Sequence, residues 1–102
     1  MKESLLNKNY KILEHRGVYK QITIWIEEMS ELTKELCKWQ RNYEKLEGDL
    51  TPQMLCNLET EVTDVQVSLD QIKKAINYNL YEQEKEYEYK VIRELRHIEN
   101  GD

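Results

Sequence analysis

The sequence has 102 residues, the length of one domain, and charged residues make up 34% of it. With 3 Gly, 1 Pro and no Phe, the composition favours long solvated helices and excludes a typical sheet protein. The net charge of −5 argues against a nucleic-acid polymer as the main partner, because such binders carry a clustered basic excess. We therefore expect a single all-α domain over residues 1–102.

The cysteines and the hydropathy pattern bear on the compartment. We find neither a signal peptide nor an apolar run long enough to cross a bilayer, which predicts a cytoplasmic protein without a membrane partner. Cys37 and Cys56 lie in no CxxC pattern and have no histidine nearby. We interpret both as small buried apolar groups rather than as a disulfide or a metal site.

Two helices are predicted in the first half of the chain. Apolar residues near the start predict a helix over residues 2–16, and Gly17 suits the left-handed residue that follows a helix. A second helix is predicted over residues 18–43, because apolar residues recur there with the period of one buried helical stripe. The members of this stripe are Ile22, Trp25, Met29, Leu32, Leu36, Trp39 and Tyr43.

A third helix is predicted over residues 52–77. Thr51 can cap its first turn, and Pro52 fits that turn without losing a needed N–H bond. Its apolar stripe again has helical spacing. The members are Leu55, Leu58, Val62, Val65, Leu69, Ile72 and Ile76.

A fourth helix is predicted over residues 80–98. Asn79 and Glu82 have the spacing of a capping pair at its start, and its apolar pattern is the weakest of the four. These helices predict a four-helix, antiparallel, bundle-like subunit. Because so short a chain leaves much of its surface exposed, we expect oligomerisation to a homodimer or homotetramer to complete it.

Carboxylates flank the stripes of the second and third helices in matching positions. At about 100° per residue, Glu28 and Glu31 lie about 60° and 120° from the centre of the second stripe. Glu61 and Asp64 have the same offsets in the same rotational sense on the third. Antiparallel packing through the stripes would bring all four together. Oxygen ligands without His or Cys select a hard cation such as Mg²⁺, with Mn²⁺ as a substitute.

The site depends on where the second helix ends. If that helix continued to residue 47, the two carboxylate pairs would differ in height by about 10 Å at 1.5 Å per residue. We therefore expect it to end between Arg41 and Tyr43, with a looped segment before Thr51.

The same residues carry a resemblance to a known family. Residues 25–36, which contain Glu27, Glu28 and Glu31, and residues 61–65 resemble the EExxE and ExxD motifs of the MazG-like all-α nucleoside triphosphate pyrophosphohydrolases. The likeness extends from about His15 to Arg93. Thr63 departs from the pattern, because many relatives carry a small residue or Gly before the aspartate.

The resemblance implies an activity and a set of site residues. It implies hydrolysis of a nucleoside triphosphate to the monophosphate and pyrophosphate, with Mg²⁺ held by residues of both motifs. Further site residues then follow as hypotheses: a water-orienting role for Glu27 or Glu35, and polyphosphate binding by Lys38, Lys90 and Arg93. Trp25 and Trp39 are candidates to stack on the base, although large aromatic residues at stripe positions are more often core. The metal ligands implied are Glu28, Glu31, Glu61 and Asp64.

Two other classes of protein remain open. A non-enzymatic helical interaction module would show the same stripes without needing the matched carboxylate offsets. A di-iron carboxylate bundle uses ExxH motifs, and Glu94 and His97 have that spacing. Such a bundle normally needs a second motif, and His15 has no glutamate three residues before it, so His97 is interpreted as a surface residue.

Overall fold

The computed structural model describes residues 3–101. Four α-helices cover most of that range, and no strand occurs within it. The all-α prediction is confirmed, with boundaries close to those predicted. The helices are α1 Leu5–Arg16, α2 Val18–Arg41, α3 Pro52–Ala75 and α4 Leu80–Glu99.

The helix ends follow local chemistry. Helix α1 begins at Leu5, later than predicted, because the Ser4 hydroxyl accepts a hydrogen bond from the Asn7 backbone N–H at 3.1 Å. Residue 2, the predicted start, lies outside the described residues. Gly17 separates α1 from α2 with a φ of +84°, which favours glycine. Helix α2 ends at Arg41, the early end that the carboxylate site requires.

Thr51 caps α3 as predicted, and its hydroxyl accepts a hydrogen bond from the Met54 backbone N–H at 3.2 Å. We expect Thr51→Ala to lower the free energy of unfolding by about 1 kcal/mol, because a donor of the first turn loses its partner. Urea denaturation followed by circular dichroism measures this change. Thr60→Ala, at an exposed interior position of the same helix, is the control, and an equal loss in both variants would contradict a capping role.

Three of the four helices pack together. Helices α2 and α3 form an antiparallel pair, and α1 packs on both. Among the described residues, α4 contacts none of the other helices. The four predicted helices are present, but within the single chain only α1, α2 and α3 form a packed body, and α4 stands apart from it.

The centre of the three-helix body is partly polar. Gln21 is only 1% exposed, and its Nε2 donates to the Gln71 Oε1 at 2.9 Å. The Trp25 indole N–H donates to the same oxygen at 2.8 Å, and the Gln71 amide donates to the Asn9 Oδ1 at 2.7 Å. Among the described residues the buried apolar side chains are few: Leu13, Trp25, Met54 and Leu58.

Both predicted stripes are only half covered. The helices meet along a line that is turned toward the carboxylates, so the buried side includes Gln21, Ser68 and Gln71. The far edge of each predicted stripe is left in solvent, and the expectation that these residues are core is wrong for the single chain. The exposed members are Ile22, Met29, Leu36, Tyr43, Leu55, Val62 and Ile76.

The two cysteines also differ from expectation. Cys37 and Cys56 are both free thiols and both exposed, because each lies outside the line along which its helix packs. The prediction that they are buried is wrong. Within the described part of the chain, none of the helices combines the length and hydropathy needed to cross a membrane.

Candidate metal centre

Three carboxylates meet where α2 and α3 face each other. Glu28 lies on α2, and Glu61 and Asp64 lie one turn apart on α3. One oxygen from each comes within 4.8 Å of the others. All three side chains are half-buried. The predicted convergence of the two acidic motifs on one side of the helix pair is confirmed for these residues.

The hydrogen bond between Gln21 and Gln71 fixes the register of α2 and α3 that brings the three carboxylates together. Gln21 on α2 lies opposite Gln71 on α3 and is hydrogen-bonded to it. Glu28 is as many residues beyond Gln21 as Asp64 is before Gln71. In an antiparallel pair with equal rise per residue, that equality places Glu28 opposite Asp64.

Over residues 3–101, the charges of the cluster are not paired with basic side chains. Partial burial raises the pKa of Glu28 above its ordinary value of 4.5, and the charges of Asp64 and Glu61 and a hydrogen bond with Asp64 raise it further. The pKa of Glu61 is also raised, by desolvation first and then by Asp64, Glu31 and Glu35. Among residues 3–101, none of the ion pairs includes a member of the cluster.

Glu31 and Glu35 lie near the three carboxylates, and their charges act on them. Glu31 raises the pKa of both Glu28 and Glu61, although it is not one of the three residues whose oxygens meet. Glu35 is half-buried and raises the pKa of Glu61. Glu27 is exposed and lies about 100° around α2 from Glu28. Of the two residues proposed to orient water, Glu35 is therefore the better placed.

The predicted substrate-binding residues are not gathered at the cluster. Trp25 is 7% exposed and its indole N–H is bonded to Gln71, so it is a core residue here and offers no free face to a base. Lys38 is exposed near the end of α2. Lys90 and Arg93 lie on α4, which contacts neither α2 nor α3.

The two basic residues of α4 also face different ways. Lys90 lines an apolar groove with Val91 and Leu95, whereas Arg93 lines a groove of about 510 Å³ with Lys85 and Arg96. Lys90 forms an ion pair with Glu86 at 3.8 Å, and Arg93 approaches Glu94 at 3.7 Å. Both pairs are exposed and contribute little to stability.

The chemistry of the donor set fits a hard divalent cation. Carboxylate oxygens are the ligands that Mg²⁺ and Mn²⁺ take, and a cation would remove the repulsion that raises the pKa of Glu28 and Glu61. Since Mg²⁺ keeps several water molecules when it binds proteins, a few carboxylates on a half-exposed surface suffice.

The buried hydrogen bonds that join Gln21, Gln71 and Trp25 were not predicted from the sequence. Gln21 lies one turn before Trp25, and Gln71 lies one turn before Ala75, so each glutamine is in line with a side chain near the helix packing. Neither residue type predicts burial on its own.

Comparisons with known protein families, with curated proteins and with solved structures gave no match to this chain. The resemblance to the MazG-like enzymes therefore depends on the short motifs alone.

Proposed function

We propose that the chain is a Mg²⁺-dependent nucleoside triphosphate pyrophosphohydrolase that produces the monophosphate and pyrophosphate. The observation that carries the proposal is the meeting of the Glu28, Glu61 and Asp64 oxygens within 4.8 Å. In the part of the chain that the structure describes, none of the three forms an ion pair with a basic side chain. Structural carboxylates at a helix pair are usually paired with Lys or Arg, because uncompensated charges at a core margin cost stability.

Each carboxylate has a role in this proposal. Glu28, Glu61 and Asp64 hold Mg²⁺, and Glu31 completes the ligand set from the next turn of α2. When bound, the cation offsets the charge that develops on the phosphate oxygens and lowers the pKa of a water molecule. Glu35 is positioned to accept a hydrogen bond from that water, and no protein nucleophile is needed.

The polyphosphate needs basic partners as well. Lys38 lies two turns beyond Glu31 on α2, and in the proposal it contacts the distal phosphates from its own chain. Lys90 and Arg93 could reach the cluster only from a neighbouring subunit, because α4 of the same chain contacts neither α2 nor α3.

A second function is favoured by a specific observation. The exposed apolar residues of α2, α3 and α4 suit a helical interaction module that binds other proteins and needs no metal. The two functions differ in their requirement for the acidic cluster: neutralising it ends hydrolysis but leaves an apolar docking face unchanged.

The test is a screen of the common ribo- and deoxyribonucleoside triphosphates with Mg²⁺, in which pyrophosphate and orthophosphate are detected separately. We expect pyrophosphate and the monophosphate in equal amounts, and no product with a chelator. Release of orthophosphate alone would contradict the proposed bond cleavage. The absence of any product across the screen, with Mg²⁺ and with Mn²⁺, would contradict the enzyme assignment and favour the interaction module.

A further inference from the structure

A groove lies where α1, the end of α3 and the start of α4 come together. Its volume is about 450 Å³, within the range of about 300–1,000 Å³ that is usual for small-molecule sites. The grooves described above along α4 are each formed by that helix alone, whereas three helices and the segment between α3 and α4 line this one. The lining residues that matter here are Leu6, Tyr10, Asp70, Lys73, Lys74 and Tyr78.

Two lysines of this groove have no acidic partner. The chain has 20 acidic and 15 basic residues, yet within residues 3–101 neither Lys73 nor Lys74 forms an ion pair. Lys73 is half-buried, and the Lys74 ammonium lies 5.1 Å from the centre of the Tyr10 ring. Asp70 also lines the groove, but its Oδ1 accepts a hydrogen bond from the Gln66 Nε2 at 3.3 Å. The two ammonium groups are therefore available to an anion.

The position of these lysines at the end of α3 has a simpler explanation, because cations in the last turn balance the carbonyl groups of a helix. Backbone N–H groups already meet much of that need. Tyr78 donates to the Lys73 carbonyl at 2.9 Å, and Asn77 donates to the Lys74 carbonyl at 3.2 Å. Asn77 has a φ of +51°, the left-handed conformation with which such a helix end closes. The end of α3 thus does not need both ammonium groups for its carbonyls.

Two tyrosine rings give the groove an aromatic wall. Tyr10 of α1 is half-buried, and Tyr78, in the segment between α3 and α4, is 39% exposed. Leu6 and Leu80 extend this apolar wall, and both are exposed. A phosphate ion alone would leave the wall in water, whereas a planar ring attached to the phosphate would cover it.

We propose that this groove binds a phosphate monoester that carries a planar ring, such as a nucleoside monophosphate. A phosphate monoester has a charge of about −1.5 to −2 at pH 7, which matches two ammonium groups. Lys73 and Lys74 bind the phosphate. Tyr10 and Tyr78 contact the ring. Asp70 accepts a hydrogen bond from a sugar hydroxyl, as acidic residues do with ribose in dinucleotide sites.

The groove is separate from the acidic cluster. Lys73 lies nine residues after Asp64 on α3, which is about 14 Å along the axis and on the opposite side of the helix. Binding in the groove needs no divalent cation, so it can be measured in chelator, where the proposed hydrolysis does not occur. Failure of the nucleotide screen would therefore leave this inference standing.

The test is isothermal titration calorimetry with adenosine monophosphate in chelator. We expect saturable binding to the wild type, and at least about tenfold weaker binding to Lys73→Gln, because losing a hydrogen bond to a charged group typically has an effect of that size. Lys34→Gln should bind as the wild type does, because Lys34 is an exposed lysine of α2 outside the groove and controls for net charge. Adenosine and inorganic phosphate, titrated separately, should each bind more weakly than the monophosphate.

The inference would be overturned by absence of binding to the wild type, by equal binding to Lys73→Gln and Lys34→Gln, or by adenosine or inorganic phosphate that binds as tightly as the monophosphate. Asp64→Asn separates the groove from the acidic cluster. Binding at the cluster would tighten when the charge of Asp64 is removed, whereas binding in the groove should not change. If Lys73→Gln fails to fold, the three titrations of the wild type decide, because they test each part of the ligand without a substitution.

Discussion

Asp64→Asn and Glu31→Gln are each expected to abolish Mg²⁺-dependent hydrolysis while the helical fold stays intact. Each change keeps the shape of the side chain and removes a negative charge from the proposed ligand set, and an amide oxygen is a poorer ligand for a hard cation than a carboxylate. Removing one electrostatic group from a site typically lowers kcat by about 100-fold or more. Pyrophosphate release with Mg²⁺ measures this effect.

The same variants should not lower the stability of the metal-free protein. In the folded state the pKa of Glu28 and of Glu61 is raised above 4.5, so between 4.5 and the raised values the folded state binds more protons than the unfolded state. Stability from these groups therefore falls as the pH rises through that window, and the loss is complete above the raised pKa values. Removing the charge of Asp64 reduces both pKa shifts, so metal-free Asp64→Asn should melt at the wild-type temperature or higher at pH 7.

The pH dependence separates this explanation from a general change in packing. Well below pH 4.5 the carboxyls of Glu28 and Glu61 are protonated in both states, and the stability difference that these two groups cause between Asp64→Asn and wild type should shrink there. Adding Mg²⁺ at pH 7 should raise the melting temperature of the wild type but not of the variant. Melting several degrees lower in chelator, or hydrolysis near the wild-type rate, would show that these carboxylates have a structural role instead.

Gln71→Met is expected to cost about 3 kcal/mol of unfolding free energy. The Gln71 Oε1 accepts from both the Gln21 amide at 2.9 Å and the Trp25 indole at 2.8 Å. A methionine of similar size leaves both buried donors without a partner, and each such donor costs about 1–3 kcal/mol. Urea denaturation at a fixed protein concentration measures the change.

Gln21→Met is the matched control at the other end of the same contact. It removes one donor together with the Gln21 Oε1, which has no hydrogen-bond partner among residues 3–101, while the Gln71 Oε1 keeps its bond to Trp25. The cost should be below about 1 kcal/mol, because no additional buried polar group loses its partner. Equal losses in the two variants would contradict the central position of Gln71 in this network.

The helices and the acidic cluster could be predicted from the sequence because both depend on local spacing. Thr51, Pro52 and Gly17 act on the backbone of adjacent residues, so their effect on helix ends is visible without tertiary structure. The offsets of Glu28 and Asp64 from the apolar stripes were sufficient to place both between the helices, and they also predicted the early end of α2 at Arg41.

The line along which the helices meet could not be predicted in the same way. An apolar stripe shows which side of a helix avoids water, but it does not say which half of a wide stripe is covered by the same chain. The choice is made by Gln21 and Gln71, whose paired amides draw the contact toward the carboxylates and leave Met29 and Val62 outside. The burial of Cys37 was wrongly predicted for the same reason. The separation of α4 from the other helices could not be predicted either, because local sequence patterns do not show which helices pack together.

Titration of Mg²⁺ into the metal-free protein, followed by calorimetry, tests the metal site most directly. We predict saturable binding to the wild type and unchanged binding to Glu59→Gln. Binding to Asp64→Asn should be at least about tenfold weaker, because losing even a residue that only supports a metal ligand typically lowers the affinity by about that factor. Glu59 is an exposed acid of α3 turned about 160° from Glu61, so it controls for net charge. Absence of binding to the wild type, or equal binding to all three proteins, would contradict a metal site formed by Glu28, Glu61 and Asp64.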